Sequence, residues 1–107
     1  MNILFICSRN QRRSATAEEI YKKSPDIFVK SAGTEPSARI RLTAKNILWA
    51  DLIFVMEKKH KQKLIAKFPF ESEDKQIVIL NIPDEYLFMD SELIDEIESK
   101  VNHYILA

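Results

Sequence analysis

Cys7 and Arg13, separated by five residues, stand between an apolar run, Ile3-Leu4-Phe5-Ile6, and a run of helix formers that begins at Ala15. The residues between them are Ser8, Arg9, Asn10, Gln11 and Arg12, and Ser14 follows. A strand that turns tightly into a helix curls successive backbone N–H groups around one point and makes an anion-binding nest. The helix N-terminus adds unpaired donors and the positive end of a dipole. Arg13 can offer two parallel N–H donors to phosphate oxygens, a geometry that lysine lacks. In that positive field Cys7 is expected to be thiolate at neutral pH, the nucleophilic form. A thiolate beside a bound phosphate is aimed at phosphorus. On this reading Cys7 attacks, and Ser8, Arg9, Asn10, Gln11, Arg12, Arg13 and Ser14 hold the phosphate. The plainer reading is a buried strand-end thiol followed by a solvated basic turn.

The elements that must place this loop follow from apolar patterning. Asn2–Ile6 reads as a buried parallel strand, short and without alternation. The helix behind the loop stops near Ser24-Pro25, and a second strand runs from Ile27 into Ser31-Ala32-Gly33-Thr34. Gly33 is the only glycine, so it marks a place where a side chain does not fit or where φ is positive. The opening loop has no glycine, and Asn10 is its residue best suited to a left-handed conformation. A helix is expected over Ser37–Leu48, capped by Ser37, with Ile40, Ala44, Ile47 and Leu48 at helical spacing. Trp49 reads as core rather than pocket wall. Asp51 opens a third strand, Leu52–Met56, either as a brace for the loop or as a strand-start residue holding a turn.

Glu57–Phe68 reads as a basic amphipathic helix with His60, Leu64 and Phe68 on one face, ended by Pro69. His60 reads as a satisfied, partly buried histidine rather than a ligand or base. Pro69–Lys75 reads as an acidic surface loop, Gln76–Leu80 as a fourth strand, Asn81–Met89 as a loop, and Asp90–Leu106 as the last helix. Alternating strands and helices imply an α/β fold with a parallel sheet and helices on both faces. Ligands of such sheets sit at the carboxyl ends of the strands. Cys7, Gly33 and the Asn81–Met89 loop all lie at such ends.

Cys7, Asn10, Arg13 and Ser14 at the N-terminus resemble the loop of the low-molecular-weight protein tyrosine phosphatase family, Cys-x-Gly-Asn-x-Cys-Arg-Ser. Ser31-Ala32-Gly33-Thr34, the run Ala50–Met56 with His60 after it, and Pro83-Asp84-x-Tyr86 extend the likeness in order along nearly the whole chain. Arg9 stands where the family has glycine and Arg12 where it has a second cysteine. The middle and acid-loop regions are shorter than the family's. The resemblance implies a flavodoxin-like sheet of four strands in the order 2-1-3-4. It also implies phosphomonoester hydrolysis through a phosphocysteine, most simply on phosphotyrosine in a protein or on a small aryl or alkyl phosphate. No cofactor and no metal are called for. Ser14 would hydrogen-bond Cys7, cap the helix, or do both. The family's acid is an aspartate followed by proline and aromatics, whereas here Pro83 precedes Asp84. Asp84 is chosen as the general acid, with Tyr86 where a pocket aromatic would stand. Asp90, which a helix-cap role explains, comes second, and Glu85 third.

The 107 residues fit one domain, 1–107, with a single core. One cysteine excludes an intrachain disulfide and suits a reducing cytoplasm. No apolar run approaches a membrane span and no secretory leader is evident. Net charge is zero, yet residues 1–68 carry 14 Lys+Arg against 6 Asp+Glu, and residues 69–107 carry 2 against 10. Most of these charges read as solvated helix faces; Arg9, Arg12 and Arg13 are the exceptions. Nucleic acid and membrane partners are not expected, and the chain is read as a monomer or weak dimer. Two other functions remain open on the sequence. One is a phosphate- or phosphoprotein-binding module with little turnover. The other is an arsenate reductase that relies on an external thiol.

Overall fold

The computed structural model describes residues 1–105. Its order is β1 (Asn2–Cys7), α1 (Arg13–Tyr21), β2 (Phe28–Gly33), α2 (Ala44–Trp49), β3 (Leu52–Val55), α3 (Lys58–Lys67), α4 (Pro69–Ser72), β4 (Gln76–Ile79) and α5 (Ser91–Ile105). The four strands form one sheet in the order β2-β1-β3-β4, and every pairing is parallel. This is the flavodoxin-like arrangement that the family resemblance implied.

The apolar run of β1 supplies both faces of the sheet, because successive side chains point to opposite sides. Ile3, Phe5 and Cys7 join Ala17 and Tyr21 of α1 and Leu93, Ile97 and Val101 of α5 on one face. Leu4 and Ile6 join Ile47 of α2 and Leu64 of α3 on the other. Burial on both sides explains why β1 and β3 are apolar at every interior position rather than alternating. Phe5 stacks between Tyr21 and Phe54, with centroids 5.9 and 5.3 Å away. That stack fixes the root of the strand that ends in Cys7.

Three expected elements differ. The helix expected over Ser37–Leu48 begins only at Ala44, and Ile40 and Leu48 are exposed. Residues 40–42 are committed to pairing beside β2 instead: Gly33 N–H donates to the Ile40 carbonyl and Leu42 N–H to the Gly33 carbonyl. The cap is Thr43 rather than Ser37, through a reciprocal box with Asn46. Pro69–Lys75 is not wholly loop, because Pro69 opens the short α4, where a missing N–H costs nothing. The last helix begins at Ser91, and Leu106, its expected end, lies outside the described residues. Trp49 is core, half-buried against the α2–α3 side, with Lys30 Nζ 4.5 Å from its ring centroid. Asp51 holds the start of β3: its Oδ2 accepts from Asn2 N–H at 2.8 Å, at the end of the sheet opposite the Cys7 loop.

Candidate active site

The loop from Cys7 to Arg13 sits at the carboxyl end of β1, between neighbours β2 and β3, where the chain crosses to either side of the sheet. Cys7 is 3% exposed. Its Sγ is 3.0 Å from Ser14 Oγ and accepts the Asn10 N–H at 3.2 Å. Asn10 has φ 56°, the left-handed conformation expected of it, and this turns the loop back over the sulfur. Asn10 Nδ2 donates to Ser14 Oγ at 2.8 Å. That bond occupies the serine oxygen as an acceptor, so the serine's own proton is free to point at Sγ. Ser14 is the second residue of α1, whose cap position is Arg12, and so it does not cap the helix. Among the described residues, the amides of Ser8, Arg9, Gln11 and Arg12 donate no hydrogen bond to protein, which leaves them for an anion.

Arg13 is 2% exposed, rooted at the first position of α1. Its Nη1 donates to Glu57 Oε2 at 2.5 Å and to the Ile82 carbonyl at 2.8 Å. One side of the guanidinium is thereby clamped. Its Nε lies 3.8 Å from Asp84 Oδ1, and Asp84 is 59% exposed. Cys7, Ser8, Arg9, Gln11, Arg12, Arg13 and Asp84 line one small cleft of about 100 Å³, open to solvent. Of the residues read from the sequence, this cleft gathers the cysteine, the arginine and the first-choice acid. Asp90 is elsewhere in role: its Oδ1 accepts Glu92 N–H at 2.9 Å and its carbonyl accepts Ile94 N–H, at the start of α5. Glu85 is exposed and does not line the cleft. Tyr86, expected at the pocket wall, packs on the α1–α5 side, and its hydroxyl donates to Glu96 Oε2 at 2.9 Å.

Sequence reading missed the support beneath the loop. Glu57 precedes α3, and its N–H donates to His60 Nδ1 at 3.0 Å. Nδ1 is therefore unprotonated, and Nε2 carries the proton that goes to Ser8 Oγ at 2.9 Å. His60 is fully buried, as a satisfied histidine, though more deeply than expected. Burial, reinforced by the charge of Arg13, pushes its pKa down to about 4. Burial raises the Glu57 carboxyl, but the hydrogen bond and charge of Arg13 outweigh it and hold the group below the ordinary value. Glu57 and His60 thus brace the arginine end and the serine end of one loop from one helix start. From the other side, Arg39 Nε donates to the Asn10 carbonyl at 2.9 Å and Arg39 N–H to the Arg9 carbonyl. Gly33 lies directly under the loop. A Cβ there would stand 2.5 Å from the Ser8 carbonyl oxygen and 2.6 Å from Ala38 Cβ. Close approach of backbone, not a positive φ, requires the glycine.

No protein-family model matches this sequence, and no curated protein matches it. Solved structures do match in fold. A low-molecular-weight phosphotyrosine phosphatase from Vibrio cholerae is 23% identical, with 98% of this chain and 94% of that one covered and a TM-score of 0.74. The tyrosine phosphatase Wzb from Escherichia coli, solved with phosphate, is 20% identical over 96% and 94%, with a TM-score of 0.77. A cysteine-to-serine variant of the arginine phosphatase YwlE, with a phosphorylated active-site serine, is 21% identical over 97% and 93%, with a TM-score of 0.76. The chain has the fold of the low-molecular-weight phosphatases.

Proposed function

We propose that this chain is a cysteine-dependent phosphomonoester hydrolase that works through a phosphocysteine, with phosphotyrosine in a protein as the substrate. The observation that carries the reading is the single cleft that gathers Cys7, the buried Arg13 and Asp84 around a loop with unengaged amides. In the first step the Cys7 thiolate attacks phosphorus. The P–O bond to the leaving group breaks, and Asp84 gives the departing oxygen its proton. The loop amides and the unclamped edge of Arg13 hold the equatorial oxygens as charge spreads over them. In the second step water attacks the phosphocysteine and Asp84 takes its proton. Phosphate leaves and the thiolate returns, stabilised by the Ser14 hydroxyl.

A phenolate needs less help to leave than an alkoxide, which favours an aryl ester such as phosphotyrosine. The fold kinship includes phosphatases described as acting on tyrosine and on arginine. Turnover of phenyl phosphate and of a phosphotyrosine peptide by the wild-type chain and by Cys7→Ser is the deciding assay. Hydrolysis by the wild type and none by Cys7→Ser is expected. Equal rates would overturn the mechanism. Phosphate binding without turnover in the wild type would make the chain a binding module.

A further inference from the structure

We propose that the leaving group of the substrate carries its own negative charge, which Arg9 and Arg12 recognise at the mouth of the cleft. The inference rests on the phosphatase reading and names the substrate class of that site. Both arginines line the cleft with Cys7, and both are exposed, whereas Arg13 is buried at its floor. Neither makes a salt bridge among the described residues. The acidic groups nearby are otherwise engaged: Glu57 holds Arg13, and Glu35 holds Lys63 at 2.6 Å. Among the described residues Asp84 is the one carboxylate lining the cleft, and its contact is with Arg13.

The leaving group departs through this mouth, so whatever follows the ester oxygen meets two unpaired guanidinium groups. No aromatic side chain lines the cleft, because Tyr86 is turned to Glu96 and Trp49 packs in the core. Ring stacking is therefore not what selects the leaving group, and charge is. A phosphoarginine, with a cationic leaving group, meets repulsion there. A neutral ester gains nothing. An ester with a carboxylate or second phosphate beyond the bridging oxygen gains two charge-assisted contacts. An acidic phosphopeptide and a small anionic aryl phosphate share this chemistry.

The test compares kcat/KM for 3-carboxyphenyl phosphate and phenyl phosphate. A second arm compares a phosphotyrosine peptide flanked by Asp and Glu with one flanked by Asn and Gln. A preference of about 3–10-fold for the anionic member is expected at low salt, as for two exposed charge pairs. It should shrink at high salt. The ratio should fall towards one in Arg9→Gln/Arg12→Gln, whatever happens to the absolute rates. Discrimination confined to the esters assigns a small substrate and discrimination confined to the peptides an acidic protein; either supports the proposal. No discrimination in either pair, a preference unaffected by salt, or one that survives the double variant overturns it. If nothing is hydrolysed, the phosphatase reading fails instead. Calorimetry of the same pairs on Cys7→Ser then still decides, and equal affinities within each pair overturn the charge recognition.

Discussion

The guanidinium of Arg13 is held from behind by Glu57, Nη1 to Oε2 at 2.5 Å, with the Ile82 carbonyl as its second acceptor at 2.8 Å. A long side chain that must present one edge to a phosphate is thereby fixed by its other edge before any substrate arrives. Glu57→Gln keeps a hydrogen-bond acceptor but removes the charge. Its expected effect is a rise in KM with a smaller fall in kcat, since ground-state phosphate and transition state both use Arg13. Glu57→Ala removes both and leaves the buried cation with only the more distant, exposed Asp84 as a counter-charge. It should cost about 1–2 kcal/mol of stability, less than for a wholly buried pair because Glu57 is 32% exposed. Denaturant melts and steady-state kinetics on the two variants check this. Unchanged KM in Glu57→Ala would remove Glu57 from the account.

His60 gives the fold an acid limb of its own. With its pKa pushed down to about 4 in the folded chain, against about 6.5 when unfolded, the unfolded state binds more protons between those values. Stability therefore rises with pH through that window and is lost as pH falls from about 6.5 towards 4. A shift of this size corresponds to roughly 3 kcal/mol. The carboxyls held low, such as Glu57 and Glu96, lose their contribution only below about 4.5, so the upper part of the limb belongs to the histidine. Thermal melts at pH 5 and 7 should differ clearly in the wild type and much less in His60→Gln. Equal differences would mean that His60 is not the group titrating.

What the sequence revealed and what it hid divide along one physical line. The Cys7–Arg13 loop is local in sequence: a short apolar run, a turn and a helix start appear together, and Asn10 stands where the loop turns left-handed, whereas the order of the strands came with the family resemblance and not with the patterning. Gly33 was legible as a place without room for a side chain or with a positive φ, and only the fold decides for the first. The clamps on the loop span 44 and 52 residues, Glu57 to Arg13 and His60 to Ser8, and no spacing rule announces such a pair. Glu57 and His60, three apart, form a reciprocal cap at the start of α3, but their targets depend on how that helix docks. The Ser37–Arg41 stretch misled because its apolar spacing suits a helix. Its backbone hydrogen bonds instead go to Glu35, Arg9 and Gly33, commitments that periodicity does not register.

Ser14 should matter to the second chemical step more than to binding. Its oxygen accepts from Asn10, which leaves its proton for Cys7 Sγ at 3.0 Å, so in the proposed mechanism it would stabilise the thiolate that leaves phosphorus. A hydrogen bond to a charged group is worth about 1.5–3 kcal/mol, which makes Ser14→Ala roughly 10–100-fold slower. Rapid-mixing kinetics with a good leaving group should show a burst of phenol followed by slow turnover, as phosphocysteine accumulates. A variant with wild-type turnover would show that the contact does no chemical work.

Gly33 tests whether the loop is held by its underside. A Cβ at this position meets the Ser8 carbonyl and Ala38 Cβ well inside contact distance, and the first of these is backbone that cannot swing aside. Gly33→Ala should cost about 1–3 kcal/mol, the usual range for overpacking. Phosphate affinity should fall with it, because relief comes by lifting Ser8 and Arg9. Ala38→Gly should restore little of either, since it leaves the Ser8 clash in place. Full rescue by Ala38→Gly would place the strain in the side chain rather than in the loop.

The proposal of Asp84 as general acid rests on where two aspartates spend their oxygens. Asp90 uses Oδ1 on Glu92 N–H at the head of α5 and its carbonyl on Ile94 N–H, so it is engaged as a cap. Asp84 lines the cleft with Cys7, is 59% exposed, and reaches no partner closer than Arg13 Nε at 3.8 Å. It therefore stands free at the edge of the guanidinium that a phosphate would use, which is where a proton must be delivered to a departing oxygen. Asp84→Asn should slow esters of poorly acidic alcohols far more than those of acidic phenols, since a good leaving group departs without the proton. Its melting transition should move little. Asp90→Asn should leave the dependence on leaving-group acidity unchanged, and Asp90→Ala should cost about 1 kcal/mol of stability. A Brønsted plot of log kcat/KM against leaving-group pKa for each variant separates the two. A steeper plot for Asp90→Asn, with Asp84→Asn parallel to the wild type, would transfer the acid role to Asp90.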